Sequence, residues 1–217
     1  MTLSRTVVVV ENESLLRDLI ARSLEAAGFS VTTAANAADA KRAVKASDPD
    51  ACVVDIELGA GPNGFDFADY LAREVPSVGV VFLTNLPDPR FVNRDTKTVT
   101  QQQAYLRKSQ LVDSKELVEA INAVLKEEDV DQFRHDQSLE RPFAGLSKRQ
   151  ISVLKLVADG YTNNQIAEAR GTTVRAVEGM ISRIFQALEI DVQAVGNPRV
   201  EATKAYLRAA GAVAVEE

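Results

Sequence analysis

The chain has 217 residues, 46% hydrophobic and 26% charged, with a net charge of −6. Its length suits one large domain or two small ones, and its acidity excludes a uniformly basic nucleic-acid binder. The lone Cys52 excludes an internal disulfide or a multi-cysteine metal cage, and the lone His135 excludes a multi-histidine metal site.

No stretch approaches the roughly 20 apolar residues of a membrane helix, and the N-terminus lacks an apolar core of signal-peptide length. The expectation is a soluble, cytoplasmic protein. In chain order, residues 6–10 are a β-branched run that predicts a strand buried on both faces. Residues 14–26 place Leu15, Leu16, Leu19, Ile20 and Leu24 at helical spacing, and Gly28 stops that helix. A second strand follows over 29–33 and a small-residue helix over 37–46. Residues 51–56 form a third strand, with Cys52 as a buried core residue. An amphipathic helix is predicted over 65–73, strands over 79–83 and 104–106, and a closing helix over 114–126 capped by Ser114. Alternating strands and helices predict a parallel sheet covered on both faces, with ligands beyond the carboxyl ends of the strands.

Those strand ends carry the chemistry. Strand one runs into Glu11-Asn12-Glu13, strand three ends at Asp55, strand four at Thr84, and strand five leads to Lys108. Acids sharing a small site repel and call for a cation, and a hard, oxygen-rich site suits Mg²⁺. A carboxylate beside Mg²⁺, a lysine and a hydroxyl can accept a phosphoryl group. A flavodoxin-like redox domain would share the strand pattern, but its phosphate-cradling loop would be repelled by Glu-Asn-Glu.

With Val-Val-Val-Val-Glu11-Asn12-Glu13, Val-Val-Asp55-Ile, Phe-Leu-Thr84 and Tyr105-Leu-Arg-Lys108 in order, the first 126 residues resemble the receiver domain of bacterial response regulators. The resemblance implies a (βα)5 flavodoxin-like α/β fold with Asp55 as phospho-acceptor, Thr84 and Lys108 contacting the phosphoryl group, and Tyr105 as an aromatic switch. It also implies a metal site at Glu11, Asn12, Asp55 and Glu57. Asn12 stands where the family usually has the aspartate that ligates the metal, so a weaker metal site is expected. The loop 57–64 is one residue longer than usual, and the polar stretch 92–103 has almost no apolar helical face. The fourth helix of the family is therefore expected to be short, displaced or disordered.

Charge then divides the chain. Residues 1–126 carry 14 basic and 17 acidic side chains, residues 127–142 carry 2 and 6, and residues 143–217 carry 9 and 8. The middle stretch has only Val130, Phe133 and Leu139 as large apolar groups. It reads as an acidic linker with a solvated His135.

Beyond it, Ser147-Lys-Arg-Gln150 and Thr162-Asn-Asn-Gln165 match the capping box. They open helices over 148–158 and 163–169. Gly171-Thr172-Thr173 supplies a turn and cap for a third helix over 174–188 that buries Val177, Ile181, Ile184 and Leu188. A short helix, a glycine-containing turn and a longer helix make a helix-turn-helix. Residues 143–190 resemble the LuxR/NarL-type DNA-binding domain, so the whole fold is expected to be a receiver followed by an all-α output domain over 143–217. Docked in the major groove, the third helix would present Arg175, Glu178, Gly179, Ser182 and Arg183, with Lys148, Arg149, Thr172 and Thr173 available to phosphates. Glu178 stands where the family often has a cation, although it can accept from cytosine N4. A fourth helix over 199–210 is implied to be a dimer surface, and the connection 191–197 is longer than usual.

The leading expectation is a DNA-binding response regulator of a two-component system. A sensor histidine kinase would phosphorylate Asp55, and a homodimer on double-stranded DNA would regulate transcription. No residue set supports enzymatic turnover of a diffusible substrate. Two alternatives stay open. One is a receiver acting as a phosphorylation-independent dimerisation or sensing module. The other is a protein-binding adaptor, favoured by Glu178 and the net acidity.

Overall fold

β-Branched side chains pack well on a pleated surface, so the valine run builds the centre of a sheet. In the computed structural model, which describes residues 4–191 and 196–211, β1 (Thr6–Val10) holds Val7, Val8 and Val9 with no exposed surface. β2 (Ser30–Ala34) lies on one side of it and β3 (Ala51–Val54) on the other. β4 (Gly79–Thr84) and β5 (Ala104–Arg107) complete a parallel sheet in the order β2-β1-β3-β4-β5. The order reverses between β1 and β3, so the crevice at their carboxyl ends is the place where such sheets bind ligands.

Four helices accompany the sheet: α1 (Ser14–Ala26), α2 (Ala37–Ser47), α3 (Gly64–Glu74) and α4 (Ser114–Leu125). Leu117, Ala120, Ile121 and Val124 of α4 join Val7, Val9, Val81 and Leu106 of the strands in one core. Leu15 and Leu19 share the spacing of the buried Ile20 and Leu24 in α1 but are exposed. The cap of α4 is Asp113, whose carboxylate accepts from the Lys115 amide at 2.8 Å, and not Ser114.

Between β4 and β5, where the family's fourth helix is expected to be short, displaced or disordered, no α-helix forms among the described residues. Two 3-10 turns, Pro89–Val92 and Thr96–Thr98, stand in its place. The Asp88 cap and Pro89 at the first position suit a helix start, but the polar residues beyond Val92 offer no apolar face on which to extend it.

The chain divides into two compact units, one of Met1–Asn85 with Val99–His135, the other of Leu86–Thr98 with Asp136–Glu217. The acidic stretch is thus split. Val130 and Phe133 are buried in the sheet's core cluster, and Arg134 bridges to Tyr105 of the edge strand β5. His135 is a correction: it is half-buried, its Nδ1 accepts from the Arg107 amide at 3.1 Å and its Nε2 lies 3.1 Å from the Glu116 carboxylate.

The second unit contains α5 (Lys148–Ala158), α6 (Asn163–Ala169), α7 (Val174–Ala187) and α8 (Pro198–Ala209). Both capping boxes form, Ser147 with Gln150 and Thr162 with Gln165. Ile151, Leu154, Ile166, Val177, Ile181 and Ile184 fill its interior, whereas Leu188 is only half-buried. Most of the long 191–197 connection, residues 192–195, lies outside the described residues.

Candidate functional site

Four of the five strands of the first unit, β1, β3, β4 and β5, deliver a functional residue where the ladder stops. The Glu11 amide donates to the Ala34 carbonyl at 3.0 Å and the Asp55 amide to the Val10 carbonyl at 2.9 Å, which fixes both acids at the sheet edge. Lys108, one residue past β5, reaches back to them. Its Nζ donates to Glu11 Oε2 at 2.6 Å and to Asp55 Oδ2 at 2.8 Å. The other carboxylate oxygens accept from backbone, Oε1 from the Glu13 amide at 3.1 Å and Oδ1 from the Glu57 amide at 3.2 Å.

Glu11, Asp55 and Thr84 are all buried, Thr84 completely so at the end of β4. Burial pushes the Glu11 carboxyl above its ordinary range, with the Asp55 charge adding to the shift and Lys108 offsetting only part of it. Burial alone would lower the Lys108 ammonium, but its two carboxylate partners outweigh that and hold it above its ordinary range. The Cys52 thiol, buried mid-strand, is pushed up to about 12 and is inert.

Two buried carboxylates share one ammonium, which leaves negative charge uncompensated and oxygen lone pairs free. That donor set fits a hard divalent cation such as Mg²⁺. Of the other expected ligands, Asn12 and Glu57 are exposed at the rim. Tyr105 is wholly buried, its ring 6.1 Å from that of Phe82, and so points into the fold with no exposed surface.

Sequence reasoning passed over Gly64, which starts α3. A Cβ there would lie 2.2 Å from the Asp55 carbonyl oxygen and 2.8 Å from Ile56 Cα, so only glycine allows the loop to fold back under the acid. The Asn-Gly pair ahead of an amphipathic run was the available signal.

In the second unit Arg175, Glu178, Ser182 and Arg183 are exposed along α7, and Gly179 is half-buried between them. Thr173 caps α7 by accepting from the Ala176 amide at 3.2 Å, which leaves its own O–H to donate, and Thr172 is exposed on the preceding turn. Arg149, Arg170 and Thr172 line one cleft with Met180, and Lys148 is half-buried at the start of α5. Arg170 was not anticipated; it donates to Ser152 Oγ at 3.1 Å. Arg199, also unanticipated, ties α8 to the turn before α6 through Asn163 Oδ1 at 3.0 Å and the Tyr161 carbonyl.

A buried acid-and-lysine edge on a five-stranded parallel sheet and a helix-turn-helix together define a signal receiver joined to a DNA-binding module. The response regulator receiver domain matches residues 7–122, and the luxR family of bacterial regulatory proteins matches residues 144–195. The chain belongs to the response regulators with a receiver domain and a LuxR-type helix-turn-helix output domain. It is 27% identical over 175 residues to the oxygen regulatory protein NreC of Staphylococcus haemolyticus, covering 74% of this chain and 79% of that one. The NreC of Staphylococcus carnosus is 25% identical over the same length. Among solved structures, RcsB of Salmonella enterica serovar Typhimurium, bound to promoter rprA in the presence of phosphomimetic BeF3⁻, has a TM-score of 0.55 at 19% identity. That comparison covers 97% of this chain and all of the RcsB chain, and shows the shared fold.

Proposed function

We propose that the protein is a cytoplasmic response regulator whose Asp55 accepts a phosphoryl group from a partner sensor histidine kinase, and that the phosphorylated chain pairs as a homodimer on double-stranded DNA to regulate transcription. The observation that carries this reading is the Lys108 ammonium held between the buried carboxylates of Asp55 and Glu11. A carboxylate oxygen of Asp55 attacks phosphorus of the donor phosphohistidine; a P–O bond forms, the P–N bond breaks, and the imidazole leaves. Lys108 then exchanges its Asp55 oxygen for a phosphoryl oxygen, and the Thr84 hydroxyl donates to another. Tyr105 follows Thr84 as the aromatic switch.

Mg²⁺, when bound, supplies neutralising charge for the incoming phosphate. Glu11 and Asp55 would hold it with their carboxylates, Asn12 with its amide oxygen and Glu57 from the rim. The neutral Asn12 favours a second reading in which metal affinity is low and the receiver serves as a phosphate-independent dimerisation module.

At the other end, α7 enters the major groove with Arg175 and Arg183 towards phosphates or base edges. Glu178, Gly179 and Ser182 lie along the same face, and Lys148, Arg149, Thr172 and Thr173 flank it. Beryllofluoride with Mg²⁺ tests the primary reading: it should dimerise the wild type and leave Asp55→Ala monomeric. No response from the wild type would favour the second reading. Arg175→Ala should weaken binding to DNA fragments that the wild type selects from a random library, and unchanged binding would overturn the docking of α7.

A further inference from the structure

A cleft of about 410 Å³ opens in the helical unit between α5, the end of α6 and α7. The buried Val153 and Val177 give it an apolar lining, which the half-buried Met180 extends along α7. Against that lining stand two guanidiniums, Arg149 from the first turn of α5 and Arg170 from the end of α6, with the hydroxyl of Thr172. Arg170 is half-buried, and its Nη1 donates to Ser152 Oγ of α5 at 3.1 Å.

That anchor is neutral. The Ser152 hydroxyl fixes the guanidinium fork without cancelling its charge and leaves most of its donors uncommitted. Among the described residues, no carboxylate pairs with either Arg149 or Arg170. In the same unit the buried Arg90 is matched by Asp88, Nη2 to Oδ2 at 2.6 Å. Like charges sharing one concave wall repel, and an anion relieves them. Guanidinium forks suit the paired oxygens of carboxylates and phosphates. Two cations match a phosphate monoester, which carries a charge of about −1.5 to −2 at neutral pH. A backbone phosphate of DNA would satisfy the cations but has no apolar group for Val153, Val177 and Met180. The volume, too, is that of small-molecule pockets, roughly 300–1,000 Å³.

We propose that this cleft binds a small phosphate monoester on an apolar stem, with Arg149, Arg170 and Thr172 holding the head and Val153, Val177 and Met180 covering the stem. The site requires neither phosphorylation of Asp55 nor any particular docking of α7 on DNA, although Arg149 and Thr172 would serve in both.

Met1 and Met180 are the only methionines, so ¹³C-methyl methionine gives the full chain a reporter in the cleft, assigned by its loss in Met180→Leu. Hexyl phosphate is the probe. It should move the Met180 signal saturably and bind at least about tenfold tighter than inorganic phosphate, since each buried methylene is worth about fourfold in affinity. Hexanol, which has the stem without the charge, and hexanoate, with a single charge, should both bind more weakly. Arg170→Gln should weaken hexyl phosphate by about tenfold. Arg149→Gln, at an exposed position where the fold is not at stake, should shift in the same direction. Equal affinities for hexyl and inorganic phosphate overturn the proposal and leave a site for a phosphate group alone, such as that of a DNA backbone. Hexanol or hexanoate binding as tightly as hexyl phosphate overturns the assignment of the head. An unmoved Met180 signal, or undiminished binding in both arginine variants, overturns the site itself. The titration contains no DNA, so none of these failures touches the docking of α7.

Discussion

Lys108 is one positive charge answering two buried negative ones. Replacing it with methionine strands both carboxylates, and breaking a buried pair by removing one partner costs roughly 3–5 kcal/mol. Lys108→Met should therefore lose about 3 kcal/mol of unfolding free energy at pH 7, read from urea denaturation. The loss should shrink on acidification. Glu11 already titrates above its ordinary range, so the folded state holds its proton at a pH where the unfolded chain has released it. A raised carboxyl favours the fold at low pH and disfavours it as pH rises through the folded value. In wild type the raised Lys108 works on the alkaline side: its contribution persists below the ordinary lysine range and is lost as pH climbs past the folded value. A variant whose stability deficit is the same at pH 5 and pH 7 would contradict this account. Gly64 is the other residue on which the site depends. Gly64→Ala drives a methyl into the backbone under Asp55, and overpacking of this kind typically costs about 1–3 kcal/mol. It should also abolish beryllofluoride binding, because the acid itself is displaced; full binding in a folded variant would refute the argument.

Elements whose signals are local could be read before the fold was seen. Ser147-Lys-Arg-Gln150 encodes its own helix start, since the hydroxyl takes the Gln150 amide and Gln150 Oε1 takes the Ser147 amide within four residues. Ser147→Ala should cost about 1 kcal/mol in thermal unfolding of the helical unit, and no change in its midpoint would show that the box is redundant there. The valine runs were equally legible, as were Asp55, Thr84 and Lys108 at the ends of three strands. What the chain order hid was long-range. Nothing local to Leu-Pro-Asp-Pro-Arg-Phe says that it packs beside Phe143 and Tyr206, more than 50 positions away. His135 looked solvated because its neighbours are acidic; its partners Arg107 and Glu116 come from β5 and α4. The cap of α4 shifted by one residue because Asp113 and Ser114 are both competent and only φ and ψ decide between them.

For the whole molecule, a net charge of −6 is an average over regions with different partners. Residues 143–190 carry 6 basic and 4 acidic side chains, and Glu178 is exposed on the helix that would face DNA. Glu178→Lys should strengthen binding to random-sequence duplex and steepen the salt dependence by about one counterion. An unchanged slope would remove α7 from the phosphate-facing surface. Domain boundaries follow the same logic of hidden partition. The luxR-family match begins at residue 144, yet the helical unit also contains Leu86–Thr98. A fragment of residues 136–217 would keep Phe143 and Tyr206 without Phe91, whose ring stacks on both, and the Leu146 carbonyl without Arg90, which donates to it. Truncating a buried Phe typically costs about 3–5 kcal/mol, so the fragment should unfold at distinctly lower urea than the same helices in the full chain. Fusing residues 86–98 to its N-terminus through a flexible linker should recover much of that loss. If the bare fragment matches the full chain's helices in stability, Leu86–Thr98 is a passenger on the helical unit and not part of its core.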